Sequence, residues 1–113
     1  MVTTINAVIE SAEVFIEDHG ILTGSISLRF DSHHQSYGGY FLFQPKYPSN
    51  DKTGLWMYYL LKTFNVDKLS ALNGLAVRVE YKNDSWRSPI KRIGHIIEDK
   101  WFDFEDLYNH NDK

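Results

Sequence analysis

The chain has 113 residues, a formal net charge of −3, five histidines and no cysteine. This is the size of one domain, 1–113, long enough to close a core without metal or disulfides. The missing cysteines exclude a disulfide framework and thiolate metal sites and favour a reducing cytosol. The 42% hydrophobic and 15% aromatic content argues against disorder, and the negative charge repels a phosphate backbone on average.

Residues Met1–Asn6 lack the basic start and apolar run of a signal peptide, and no apolar stretch approaches membrane-spanning length. The expectation is a cytoplasmic protein with no membrane partner. A nucleic-acid partner is unlikely on charge; Arg87, Lys91 and Arg92 make a weak basic patch, opposed by Glu98, Asp99, Asp103, Glu105, Asp106 and Asp112.

In chain order, Ile5, Ala7 and Ile9 alternate on one face and Ala12, Val14 and Ile16 on the other. Strand side chains have period two, so the phase change requires an extra residue near Glu10–Ser11, a β-bulge that bends the strand. Glu17-Asp18-His19-Gly20 is a turn, with Gly20 at a position of positive φ. Leu22, Gly24, Ile26, Leu28 and Phe30 then alternate with polar residues, the cleanest half-buried strand in the chain, and the two runs read as a hairpin.

Asp31 to Ser36 reads as a polar loop carrying His33 and His34. Tyr37 to Phe43 is the third strand, with a bend or close approach at Gly38-Gly39. After a loop punctuated by Pro45, Pro48 and Gly54, Met57, Leu60, Leu61 and Phe64 fall at helical spacing. Asp67 is the expected cap of a second short turn that Gly74 ends. Val77, Val79 and Tyr81 mark the fourth strand, Asn83-Asp84-Ser85 a turn, and Ile90 to Ile97 the fifth strand, with a bend at Gly94. Trp101, Phe104 and Tyr108 suit a helical piece folded back on the sheet.

The order β-β-β-α-β-β predicts a mainly β (α+β) protein: a small five-stranded barrel like the oligonucleotide/oligosaccharide-binding fold, or a strongly curled sheet. A split sheet with the helix on one face is the nearest competitor.

No nucleophile elbow, phosphate-cradling loop or other catalytic signature is present. Asp18-His19, and His95 with Asp99, pair histidine with carboxylate, as a general base or metal ligand would. The spacing is not specific, and the structural alternative is that His19 shapes its turn and His95 bonds a backbone group. His33-His34 reads as solvated loop; adjacent histidines in a strand face opposite ways. A histidine/carboxylate zinc site has no supporting motif, and no cofactor is expected. The aromatic set Tyr37, Tyr40, Trp56, Tyr58, Tyr59, Trp86 and Trp101 is larger than a small core needs, and such side chains suit binding surfaces and base stacking. For Trp56 and Trp101 a core or dimer-interface place is the better reading.

Four segments carry a resemblance: Ile16-Glu17-Asp18-His19-Gly20-Ile21; Gly38-Gly39-Tyr40; Leu72-Asn73-Gly74 leading to Val77-Arg78-Val79; and Ile93-Gly94-His95-Ile96 with Asp99-Lys100-Trp101-Phe102. Together, in order, this set resembles a family of small bacteriophage and prophage proteins, departing at His33-His34-Gln35-Ser36, where the family is richer in glycine. The resemblance implies no established activity. It implies a phage context, in which small, acidic, cysteine-free proteins without catalytic motifs often antagonise host defence, by binding a defence protein or sequestering a signalling nucleotide. The expected function is therefore non-enzymatic binding in an infected bacterial host, with a host defence protein or a small nucleotide-like signal as partner, and a homo-oligomeric assembly. Alternatives are a single-stranded nucleic-acid binder and a small histidine/carboxylate enzyme. In a five-stranded barrel, Asp18 and His19, Gly38, Gly39 and Tyr40, and Gly94 and His95 would converge on one pocket. Tyr40 would stack on the ligand, His19 and His95 would donate hydrogen bonds, and Arg78 or Arg92 would pair with a phosphate.

Overall fold

The computed structural model describes residues 4–83 and 88–111, with side chains described through Leu107. Its elements are β1 (Thr4–Ile16), β2 (Leu22–Arg29), β3 (His34–Phe43), α1 (Thr53–Thr63), β4 (Ala76–Tyr81), β5 (Ile90–His95), β6 (Trp101–Phe102) and α2 (Phe104–Asn111). The strands form one antiparallel sheet in the order β3-β2-β1-β4-β5-β6. The protein is mainly β, with α1 between the third and fourth strands as the pattern predicts. The five-stranded closed barrel does not form. A sixth strand joins β5, and β3 and β6 remain as the two edges.

The sheet is nevertheless far from flat. In a flat sheet of this order β3 and β5 would stand four strand spacings apart, about 19 Å. Yet the Tyr37 hydroxyl on β3 lies 3.4 Å from the Lys91 carbonyl on β5 and 3.3 Å from the Phe102 carbonyl on β6. Gln35, also on β3, donates to the Ser88 carbonyl and accepts from Tyr81 on β4, each at 3.2 Å. The sheet therefore curls until its edges face each other, and side chains rather than ladder bonds span the gap.

The bend originates in β1. Its first half pairs with β4, Thr4 opposite Glu80 through Val8 opposite Ala76, and its second half with β2, ending at Ile16 opposite Leu22. The register slips between Ile9 and Ser11, so Glu10 is the extra residue that the phase change requires.

The inner face is filled from α1. Trp56, Leu60 and Phe64 are buried against Ile26, Leu42 and Phe102, while Met57 and Leu61 are half-buried. The apolar stripe is thus rotated toward Trp56, which packs directly on Gly24: a Cβ there would lie 2.8 Å from the indole. Full burial of each large apolar side chain contributes about 1.5–3 kcal/mol, so this helix face is a principal source of stability.

Four boundaries differ from the sequence reading. Strand β3 begins at His34, opposite Arg29, rather than at Tyr37; its first residues, His34, Gln35 and Ser36, are polar, so they carry no apolar signal. The second short turn is a 3-10 turn over Leu69–Leu72, preceded by Lys68 without a side-chain cap, so Asp67 is not its cap. Backbone bonds pin it instead, Gly74 N–H to the Ile9 carbonyl at 2.7 Å and Ile9 N–H to the Leu75 carbonyl at 2.9 Å. Strand β5 ends at His95. Trp101 belongs to β6, and only Phe104 onward is helical. The expected turn at Asn83-Asp84-Ser85 falls largely outside the described residues, as do Arg87 and Trp86.

Candidate functional site

The eight residues singled out from the sequence fall into three places rather than one pocket. Asp18 and His19 sit at the tip of the β1–β2 hairpin, both exposed. There the Glu17 carboxylate organises the turn: it accepts the His19 N–H at 2.6 Å, the Ile21 N–H at 3.2 Å and the His19 Nδ1–H at 2.9 Å. The His19 bond holds the Glu17 carboxyl below its ordinary value, and the same bond raises the His19 imidazole. Gly20, at φ 78°, closes the reversal. His19 shapes its turn, the structural alternative named above.

Gly38, Gly39 and Tyr40 lie in β3. Gly24 opposes Tyr40 and Ser25 opposes Gly38, so Gly39 is the extra residue of a bulge. A Cβ on Gly38 would sit 3.0 Å from the Gly24 carbonyl and the Ser25 Cα, and both glycines have positive φ. The pair bends a strand rather than opening it to a phosphate. Tyr40 is half-buried, its ring 5.7 Å from Tyr37 and 4.9 Å from Phe104, so it closes the core instead of offering a free stacking face.

Arg78, Arg92 and His95 do come together, around Trp101. Arg78 on β4, Gly94 on β5 and Trp101 on β6 stand in one row across the sheet. The indole lies so close over Gly94 that a Cβ there would be 2.6 Å from the ring. Both guanidiniums lie over that ring, Arg78 at 4.5 Å and Arg92 at 4.1 Å from its centre, well within cation–π range. Arg78 donates to the His95 carbonyl at 2.7 Å and to the Glu98 carbonyl at 2.8 Å. Arg92 pairs with Glu80 at 2.9 Å, and its Nε is buried without a hydrogen-bond partner. The Trp101 Nε1–H donates to Asp99 at 3.1 Å.

His95 is spent within the fold. Its Nδ1 accepts the Ile97 and Glu98 N–H groups at 3.1 and 3.0 Å, and its Nε2 faces the Glu98 carboxylate at 3.3 Å. An acceptor Nδ1 carries no proton, so this ring caps the β5–β6 turn with both nitrogens occupied. His95 shares a sheet row with Val77 and Ala7, whereas the hairpin holding His19 begins beyond Ile16. On the order of 30 Å of strand separates Ala7 from Ile16. The shared His19–His95 pocket required a barrel that brings the first turn over the fifth strand; β1 instead carries that turn away along β2.

Beside Trp101 opens a cleft of about 350 Å³, between Tyr59 and Thr63 of α1, Arg92, the stretch Trp101–Asp103, and Asp106 and Leu107 of α2. Asp103 is engaged by Lys91 at 2.5 Å and accepts the Asp106 N–H at 3.1 Å; the Asp103 bond raises the Lys91 ammonium. Two of the three members of the basic patch, Lys91 and Arg92, thus have carboxylate partners. Other hollows, of about 180 Å³ beside Phe41 and Tyr47 and about 520 Å³ beside Leu61 and Val66, join no arginine to a tryptophan. Among the described residues no three histidine, aspartate or glutamate side chains converge as a metal site, and no helix is long and apolar enough to cross a membrane.

The sequence reading names Tyr59 and Trp101 among the aromatics that suit a binding surface, but prefers a core or interface place for Trp101 and puts neither in the pocket; both stand at the cleft. Trp101 lies across from Gly94 on the neighbouring strand, and an aromatic that covers a glycine lies flat on the sheet surface. No family model, curated protein or solved structure matches this chain.

Proposed function

We propose that the protein is a binding protein that sequesters a small nucleotide-like molecule in the Trp101 cleft. The observation that carries this reading is one indole plane held by two guanidiniums at the wall of a cavity of about 350 Å³. A planar base finds the Tyr59 ring and the rim of Trp101, and an anionic group finds the Arg92 guanidinium at the cleft wall. Aromatic stacking contributes about 1–3 kcal/mol per base. The curled sheet with its helix is, in this reading, a relative in kind of the oligonucleotide/oligosaccharide-binding architecture. The phage resemblance supplies the context: antagonism of a host defence signal in an infected bacterium, or blocking of a host protein.

The test is mass spectrometry of small molecules released when the purified protein is denatured, with thermal shifts against a nucleotide panel. A retained or stabilising nucleotide, returned intact, is the expected result. Arg92→Gln should weaken it about 10-fold or more, from the loss of one charge-assisted bond. A chemically altered ligand would mean an enzyme. Steeply salt-dependent binding of single strands would favour the nucleic-acid alternative, which the net charge of −3 and the pairing of Lys91 with Asp103 count against. No retained molecule and no shift would end the sequestration reading.

A further inference from the structure

The outer face of β1, β2 and β3 carries neither helix. Ser25 and Ser27 of β2 point outward, alternating with Ile26 and Leu28, whose side chains are buried on the inner face. At the turn end this small, polar surface changes character. Phe15 of β1, Thr23 of β2 and Phe41 of β3 stand opposite one another in one row. The phenylalanines are 40% and 52% exposed, while Thr23 between them is only 3% exposed and bonds its hydroxyl back to the Ile21 carbonyl at 3.0 Å. Two large aromatics displayed on the outside of a sheet, flanking a threonine they cover, mark a contact surface.

We propose that this face binds a second copy of the chain. The row is self-complementary. A two-fold axis running along β2 above Thr23 lays the β1 of each copy over the β3 of the other, so each Phe15 meets the Phe41 of its counterpart. This is an isologous arrangement, in which residue i meets j and j meets i. Phe41 also forms a wall of the groove of about 180 Å³ shared with Tyr47, so the approaching ring has a recess to enter. Charge follows the same operator. Beyond Phe15 the β1–β2 turn is acidic, with an exposed Asp18, and beyond Phe41 the chain presents the exposed Lys46. The axis sets the acidic turn of one copy against Lys46 of the other, twice per dimer. A strand added to the β3 edge fits less well, because the bulge at Gly39 breaks its ladder and Lys52 N–H already occupies the Leu42 carbonyl at 2.7 Å.

The inference is independent of the Trp101 cleft. Its test is sedimentation equilibrium of the full chain over a concentration series, with the melting temperature of each variant as a check on folding. A dimer is expected for the wild type, with Phe15→Thr and Phe41→Thr each weakening it about 100-fold or more, as expected of a central aromatic anchor. Asp18→Lys and Lys46→Asp should each weaken it a few-fold, as rim charges do, and the double reversal should restore it. That restoration is a result a merely misfolded variant does not produce. A wild type that stays monomeric, a dimer indifferent to Phe41→Thr in a folded variant, or charge reversals that fail to rescue each other would overturn the proposal. So would a different protein, rather than a second copy, protecting Phe15 and Phe41.

Discussion

Removing the Tyr37 hydroxyl tests the curl of the sheet directly. Tyr37 is 2% exposed, and its oxygen accepts the Phe104 N–H at 3.1 Å while facing the Phe102 carbonyl at 3.3 Å and the Lys91 carbonyl at 3.4 Å. A hydroxyl has one proton to give, so it serves the two carbonyls by sharing and the amide by accepting. Tyr37→Phe keeps the ring, and its edge contact with Phe102 at 6.2 Å, but removes the oxygen to which the buried Phe104 N–H donates at the start of α2. Losing a buried hydrogen-bond partner costs about 1–3 kcal/mol; the long bonds to the carbonyls place the expected loss at about 2 kcal/mol. For a chain of this size that lowers Tm by roughly 8 °C. Urea unfolding followed by tryptophan fluorescence gives the energy, and hydrogen exchange at Phe104 gives its location. The pH dependence adds a second arm. Burial, then the neighbouring Tyr40, raises the Tyr37 phenol. Its folded value lies above its unfolded value of about 10, so its contribution is whole below that pH and is lost as pH rises past it, because the unfolded chain ionises first. Burial raises Tyr40 and Tyr81 too, so Tyr37→Phe should reduce the alkaline loss without abolishing it. A stability change under about 0.5 kcal/mol, with unchanged exchange at Phe104, would refute the idea that this hydroxyl ties β3 to the far edge.

Two further outcomes follow from the packing and the hairpin. Gly24→Ala should cost about 1–3 kcal/mol, because its Cβ would meet three atoms of the fully buried Trp56 ring at 2.8–3.0 Å and overpacked cores lose that much; an unaltered melt and unshifted tryptophan emission would count against the close contact. The Glu17–His19 pair should be tightest between the ordinary values of the two groups, about 4.5 and 6.5. The lowered Glu17 loses its contribution as pH falls, and the raised His19 loses its own as pH rises. Protection of the His19 and Ile21 amides, corrected for the intrinsic pH dependence of exchange, should therefore fall on both sides of that window, and protection that stays flat across it and beyond both ends would show that the pair does not order the turn.

How far the sequence discloses this fold depends on where apolar side chains report position. The phase change from Ile9 to Ala12 places the β1 bulge near Glu10–Ser11, where the register does slip, because a strand packed on one side makes any register shift visible as a change of face. The Val77–Tyr81 strand is equally clear, every second residue being buried. The start of β3 is not, since His34 and Ser36 point outward and Gln35 faces inward through hydrogen bonds rather than through hydrophobic burial. The sixth strand consists of Trp101 and Phe102 alone, too short for any periodicity. Open edges in place of a closed barrel reflect a tyrosine hydroxyl standing where ladder bonds would run.

The candidate site was legible in its cations and in its aromatic residues taken singly, but not in their convergence, and the reason is geometric. Arg78 and Arg92 alternate with buried Val79 and Ile93, so period two alone puts them on the outer face. That both rest on the same ring depends on a pairing between β5 and β6 that no local pattern encodes: Gly94 opposite Trp101. Gly94 read as a bend because glycine in a strand usually marks one; here it makes room for an indole. The histidines misled for the complementary reason. The sequence reading pairs His19 with Asp18 and His95 with Asp99; in the structure His19 is held by Glu17 and His95 faces Glu98 while its Nδ1 accepts two turn amides. A histidine next to an acid within a tight turn satisfies itself locally, whereas Arg92, held by Glu80 across the ladder, lines the cleft. In this protein it is the cross-strand neighbour, and not the sequence neighbour, that decides which of these side chains stands at the cleft wall and which only fastens a turn.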